Sequence, residues 1–276
     1  MEGKICIITG ANSGIGKATT IGLAKMNATV VMLCRNKERG EKAQKEIIQL
    51  TGNNNVDLFI CDLSSQKEIR NFVSEFKSKY QKLHVLINNA GVMISKKLLS
   101  ADGIETNFAV NHLAPFLLTN LLLDTLKKSA PSRVINVGSA AHRMGKIDFE
   151  DLQRKNKKGR FFRLYASSKL ALTLVSYELS RRLEGFDVTV NVVHPGLVNT
   201  NLGRDPSSNS GGIARKFFKN PEIGAETSIF LATSPEVEGV TGKYFTNKKA
   251  KPSSKDSYNK EYAKRLWDIS LELTKL

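Results

Sequence analysis

No run of about 18 apolar residues occurs anywhere in the chain, which excludes a membrane-spanning helix. Cysteine is scarce. Cys6, Cys34 and Cys61 are odd in number, far apart, set in apolar segments and without a Cys-x-x-Cys pair. Neither a disulfide framework nor thiol-bound zinc is therefore expected, and the three read as small buried hydrophobes. The four histidines, His84, His112, His142 and His194, form no ligand-spaced pair, so no metal site is expected. Only Met1 to Gly3 precede the first apolar run, so neither a secretory leader nor an N-terminal anchor is expected. These absences predict a soluble, cytoplasmic protein held in a reducing compartment.

What the chain has in excess is positive charge. Its 276 residues carry 42 lysines and arginines against 26 aspartates and glutamates, a net +16. A hydrophobic fraction of 41% and a charged fraction of 25% are otherwise ordinary for a globular protein with ample core. The excess concentrates in two stretches. Residues 142–163 hold eight basic side chains against three acidic, and residues 243–265 hold eight against two. Such charge suits nucleic acid, an anionic membrane surface or an anionic small molecule. No basic module interleaved with aromatics is present, so nucleic acid is not expected. The 142–163 stretch includes Phe161-Phe162, a composition suited to peripheral contact with an anionic membrane.

Apolar runs and amphipathic stretches alternate along the chain. Runs at 4–9, 28–34, 56–61, 85–88, 133–137 and 188–193 are short and rich in β-branched residues, with a last strand near Tyr244. Helical periodicity fills 14–26, 37–51, 66–80, 105–128, 165–183, 222–233 and 258–274. Repeated βα units of this kind predict an α/β fold: a single doubly wound Rossmann domain over residues 1–276, with a central parallel sheet of about seven strands flanked by helices. A ligand crevice is then expected at the carboxyl ends of the strands. Residues 199–221, rich in Gly, Ser, Asn and Pro, break the rhythm.

The first strand runs into Thr9-Gly10-Ala11-Asn12-Ser13-Gly14-Ile15-Gly16-Lys17, which opens the first helix. Glycines there let backbone approach a pyrophosphate, and the helix N-terminus supplies N–H donors. The second strand ends in Cys34-Arg35-Asn36, with no acid before Glu38. A carboxylate at that position would hold the 2′-hydroxyl of NAD, whereas Arg35 can fork onto a 2′-phosphate. Lys17, in the first helical turn, opposes the helix dipole and calls for a nearby anion. Both cations favour NADP(H).

Further motifs follow in order: Asn88-Asn89-Ala90-Gly91 after the fourth strand, Asn111 within the long helix, Ser139 after the fifth, Tyr165-x3-Lys169, and His194-Pro195-Gly196. Tyr165 and Lys169, four apart, share one helix face. With the glycine-rich turn, this set resembles the short-chain dehydrogenase/reductase family nearly end to end. A finer likeness, to the retinol dehydrogenase branch, rests on LCRNKERGEKA (33–43), LHVLINNAGVM (83–93), VNHLAPFLLT (110–119), HPGLVNT (194–200), GAETSIFLATSPEVEGVTGKYF (224–245) and RLWDISLEL (265–273). Ser139 and Tyr165 are separated by a long basic insert, typical of that branch. Ala114 stands where relatives usually have glycine, and Pro115 follows it, which predicts a local shift in the helix carrying Asn111.

The resemblance implies an NADP(H)-dependent oxidoreductase interconverting a carbonyl and an alcohol, with hydrophobic, retinal-like aldehydes or ketones as expected substrates. It implies Tyr165 as general acid or base, its phenol (ordinarily near pKa 10) lowered by Lys169 together with the oxidised nicotinamide. Ser139 would hydrogen-bond the substrate oxygen, and Asn111 would hold a water linking Lys169 to solvent. Cofactor contacts would come from Gly10, Asn12, Ser13, Gly14, Ile15, Gly16, Lys17, Arg35, Asp62, Leu63, Asn89, Ala90, Gly91, Tyr165, Lys169, Pro195, Gly196, Val198 and Thr200. A dimer or tetramer through the helices bearing Asn111 and Tyr165 is implied as well. Two alternatives stay open: a carbonyl reductase of unrelated small substrates, and a non-catalytic NADP-binding sensor, which would usually lack the tyrosine or lysine kept here.

Overall fold

The computed structural model describes residues 1–94, 98–153, 161–196 and 220–276. One eight-stranded sheet runs through them, in the order β3-β2-β1-β4-β5-β6-β7-β8. Its strands are β1 (Ile5–Thr9), β2 (Thr29–Cys34), β3 (Val56–Ile60), β4 (Val85–Asn88), β5 (Ser132–Val137), β6 (Val188–His194), β7 (Tyr244–Thr246) and β8 (Lys249–Lys251). The first seven pair in parallel, and the order reverses between β1 and β4, the switch point of a doubly wound sheet.

The strands read as continuous apolar runs because both faces are covered. Successive side chains point to opposite faces, so Ile7, Val31 and Leu86 enter one core and Ile8, Met32 and Ile87 the other. The second core is closed by Leu23 of α1 (Gly14–Ala24), Ile47 of α2 (Lys37–Thr51) and Leu231 of α7 (Pro221–Thr233). The first is closed by Phe76 of α3 (Gln66–Lys79), Leu117 of α5 (Ala114–Lys128), Leu174 of α6 (Phe161–Arg182) and Trp267 of α8 (Lys260–Thr274). All three cysteines are buried and unbridged, as expected. Among the described residues no helix is long and apolar enough to cross a membrane.

Two departures from the sequence reading are local. The sheet has eight strands rather than about seven. β8 is three residues long, exposed and antiparallel to β7, and Lys-Ala-Lys carries no apolar signal. Its lysines suit an edge that must not pair with another chain. The expected continuous helix over 105–128 is instead a short α4 (Thr106–Phe108), a π-helical turn at Ala109–Leu113, and α5. Pro115, four residues beyond Asn111, has no N–H for the Asn111 carbonyl. In the wider turn the Ala114 N–H reaches back to Ala109, five residues away.

Candidate active site

The switch point carries a cradle made largely by missing side chains. Gly10 and Gly14 adopt φ of +66° and +52°, which glycine reaches without penalty. A Cβ on Gly16 would run into the Gly10 carbonyl and the Asn89 amide. The turn is strapped to the end of β4 by hydrogen bonds from Asn89 Nδ2 to the Thr9 carbonyl (2.8 Å) and from the Ala90 N–H to Thr9 Oγ1 (2.8 Å). Asn36, Ser65 and Asn259 cap the N-termini of α2, α3 and α8 with their side chains. Ser13, at the same position of α1, makes no such bond, and the first turn of α1 holds no acid. The N–H groups of that turn are therefore open to an anionic ligand.

Cys34 lies under this turn, its sulfur facing the backbone N–H groups of Ala11 and Asn12, and burial pushes its thiol up to about 11. Arg35, next along, is exposed and has no partner among the described residues. Lys17 is differently placed: its ammonium pairs with Glu46 of α2, which holds the Glu46 carboxyl below its ordinary range. The anion that the position of Lys17 calls for thus comes from within the chain. Asp62 turns inward on its own loop, where its carboxylate accepts from the Ser64 N–H (2.9 Å). Leu63 packs against the core beside it. Gly91 is half-buried just past the strap.

The second cluster sits at the end of β5. Ser139 is extended and caps a 3-10 turn at Ala140–Met144 by accepting from the Ala141 N–H (3.2 Å). Its hydroxyl also hydrogen-bonds the Tyr165 hydroxyl. Tyr165, on α6, is only 6% exposed. Burial raises its pKa, and the Ser139 bond opposes that rise. One turn on, Lys169 is 3% exposed and donates from Nζ to the Val137 carbonyl (2.8 Å). Burial brings its ammonium down to about 8, within reach of neutral pH. The turn after Ser139 is seated closely on α6: a Cβ on Gly145 would lie 2.5 Å from the Ala166 carbonyl.

Asn111 is buried in the π-helical turn, but its side chain is already engaged. Oδ1 accepts from the Val92 N–H (2.8 Å), and Nδ2 donates to the Val92 carbonyl (2.9 Å) and to Ser168 Oγ (3.0 Å). Ser168 in turn donates to the Tyr165 carbonyl (2.7 Å). The side chain therefore ties the post-β4 loop to α6, and its main-chain carbonyl, deprived of a donor by Pro115, is the atom left to take a water.

Of the positions expected further along, Pro195 and Gly196 follow β6, Gly196 with φ of +86°. Val198 and Thr200 lie outside the described residues. Sequence reasoning passed over His142, which is fully buried between the Ser139 carbonyl and the Ser254 N–H. Its place four residues after Gly138 offered no recognisable spacing.

The family model for short chain dehydrogenases matches residues 4–210. Retinol dehydrogenase 13 of Homo sapiens is 44% identical over 284 residues, an alignment spanning 100% of this chain and 86% of that one. A crystal structure of an uncharacterised protein from Mycobacterium paratuberculosis superposes with a TM-score of 0.82 at 30% identity, covering 99% of this chain and 94% of the other. The Pseudomonas aeruginosa RhlG/NADP active-site complex superposes with a TM-score of 0.70 at 27% identity, covering 89% and 94%.

Proposed function

Because the chain belongs to the short-chain dehydrogenase family, in its retinol dehydrogenase-like branch, we propose that it is an NADP(H)-dependent oxidoreductase that interconverts carbonyls and alcohols of hydrophobic substrates. The observation that carries this reading is the Ser139–Tyr165 hydrogen bond with buried Lys169 one turn away, at the same end of the sheet as the cradle.

The residues present fit a dinucleotide. Gly16 leaves the space, the N-terminus of α1 is uncapped, and Arg35 stands free at the end of β2. With no carboxylate before Glu38, Arg35 favours a 2′-phosphate, hence NADP(H) over NAD(H). The structurally similar RhlG complex, which contains NADP, agrees with this choice. When bound, such a cofactor supplies or accepts the hydride. The chain's own residues do the rest. Ser139 Oγ holds the substrate oxygen where charge develops. Tyr165 passes its hydroxyl proton to that oxygen in reduction and takes it back in oxidation. The Lys169 ammonium favours the phenolate by its charge. The Asn111 main-chain carbonyl holds the water through which the proton lost by Tyr165 is replaced.

Apolar side chains at the crevice support a hydrophobic substrate. Leu98 and Leu99 after β4, Met144 after β5, Phe162 at the start of α6 and Ile223 at the start of α7 are each about half exposed. All sit on connections that leave carboxyl ends of strands, so they surround the crevice. The retinol dehydrogenase relatives suggest retinoid-like aldehydes or ketones among the substrates.

The test is a fluorescence titration with NADPH and NADH, followed by NADPH oxidation against a panel of aldehydes and ketones that includes retinal. Tight NADPH binding with turnover abolished in Tyr165→Phe is the expected result. Equal binding of both nucleotides would overturn the NADP(H) assignment. Tight binding without turnover on any carbonyl would favour a sensor.

A further inference from the structure

The turn that carries Ser139 is held from two sides. From α6, Ser167 Oγ donates to the Lys146 carbonyl (2.8 Å) and accepts from the Lys146 N–H (3.1 Å). From the far end of the chain, the segment between β8 and α8 clamps it. Arg143 donates to the Pro252 carbonyl (2.5 Å) and the Ser253 carbonyl (3.2 Å). Between these two anchor lines lies His142, 0% exposed. Its Nε2 is 2.9 Å from the Ser254 backbone N–H, which can only donate. Nε2 must therefore be the bare nitrogen, and Nδ1 carries the proton. Nδ1 lies 2.6 Å from the Ser139 carbonyl, so that proton is donated to Ser139. The His142 backbone N–H donates to the same carbonyl (3.1 Å). One face of the imidazole rests against the Tyr244 ring, with centroids 4.9 Å apart. The Tyr244 hydroxyl is itself buried without a hydrogen-bond partner.

We propose that His142 is a positioning residue for the Ser139–Tyr165 pair: held as its neutral Nδ1–H tautomer by the Ser254 amide, it fixes the Ser139 peptide so that the serine hydroxyl faces the tyrosine. The C-terminal segment thereby contributes to the reaction without touching substrate. This rests on the oxidoreductase reading above, though the tautomer itself does not. Burial keeps the ring neutral, in line with the role. Around it stand Ser139, Arg143, Tyr244 and Ser254, of which Arg143 alone is charged, and its charge also disfavours an imidazolium.

The Ser139 hydrogen bond is what opposes the burial-driven rise of the Tyr165 pKa, and this gives a readout that a purely structural role would not move. His142→Phe keeps the ring packing and removes both polar contacts. Ser254→Pro removes only the amide donor, at a residue whose φ of −71° already suits proline. We expect kcat to fall by about 10- to 100-fold in His142→Phe and by about 3- to 10-fold in Ser254→Pro, with the NADPH Kd unchanged in both. The pH at which alcohol oxidation switches on should move upward in both, as it should in Ser139→Ala. In a Ser139→Ala background, His142→Phe should add no more than about twofold, because the two act as one unit. On the protein alone, the imidazole 15N shifts of His142 should report the Nδ1–H form.

An Nε2–H tautomer overturns the proposal. So does a kcat loss that multiplies independently with Ser139→Ala, or an unmoved pH profile in whichever variant folds. Wild-type protein without NADPH binding or carbonyl turnover would instead defeat the oxidoreductase reading and leave the tautomer to decide the positioning.

Discussion

On one side of the switch point, β1 to β3 build a surface by leaving things out: glycines without Cβ atoms, a helix without a cap, a strand end without a carboxylate. On the other side, around β5 and α6, the surface is built by putting polar groups where they are costly. Lys169, Asn111 and His142 are all essentially buried. Asn136 of β5 links Asn88 of β4 (2.8 Å) to Ser176 of α6 (2.8 Å) under the same sheet end. Binding a long anion asks for backbone donors and room, which cost little folding energy. Moving a proton asks for displaced pKa values, which need burial and therefore full hydrogen-bond satisfaction. The two halves should therefore fail differently when broken.

The sharpest separation comes from one substitution in each. Gly16→Val would force the cradle apart against the Gly10 carbonyl. It should weaken NADPH binding by at least about 100-fold in a fluorescence titration. Tyr165→Phe should lower carbonyl turnover by about 10³-fold while NADPH binds within about twofold of wild type. If both substitutions damage binding and turnover alike, the division is wrong.

Lys169 tests the burial side through stability. Its ammonium falls from 10.5 to about 8 in the folded protein. Between about pH 8 and pH 10 the unfolded chain keeps a proton that the native state has released, so native stability rises with pH. Relative to Lys169→Met, wild type should gain about 3 kcal/mol across those two units, and nothing below pH 8. Urea unfolding of both proteins, without cofactor, would show it. A flat difference would mean the ammonium is not displaced.

Effects shrink toward the cofactor's outer end. Arg35→Ala should weaken NADPH by about tenfold and leave NADH unchanged. Titration of the two nucleotides decides it, and equal weakening would remove the 2′-phosphate argument. Lys17→Ala should change NADPH affinity by less than about threefold, because its ammonium already has Glu46. A tenfold loss would show that the lysine leaves Glu46 for the nucleotide.

The half built by omission was the more legible in sequence, since glycine spacing and a missing acid are visible in a string of letters. The half built by burial was legible only where residues keep a local spacing, as Tyr165 and Lys169 do four apart on one helix. Partners distant in the chain were not. Nothing near Lys17 announced Glu46, and nothing near His142 announced Ser254, 112 residues away. Element type held wherever apolar periodicity was long. It failed at β8, three exposed residues without an apolar pattern, and at the π-helical turn, where Pro115 predicted a disturbance but not its form.

The π-helical turn also sets an angle. A helix advances about 100° per residue, so one surplus residue rotates everything after it by that amount. Leu117, Leu118, Leu122 and Leu126 of α5 all face the core in the rotated frame. Deleting a single residue within 109–113 would restore a regular helix and swing those leucines toward α5's outer side, while closing the carbonyl of Asn111 back into the spiral. The local defect at the site and the seating of a whole helix are thus one geometric choice, and neither can drift without the other.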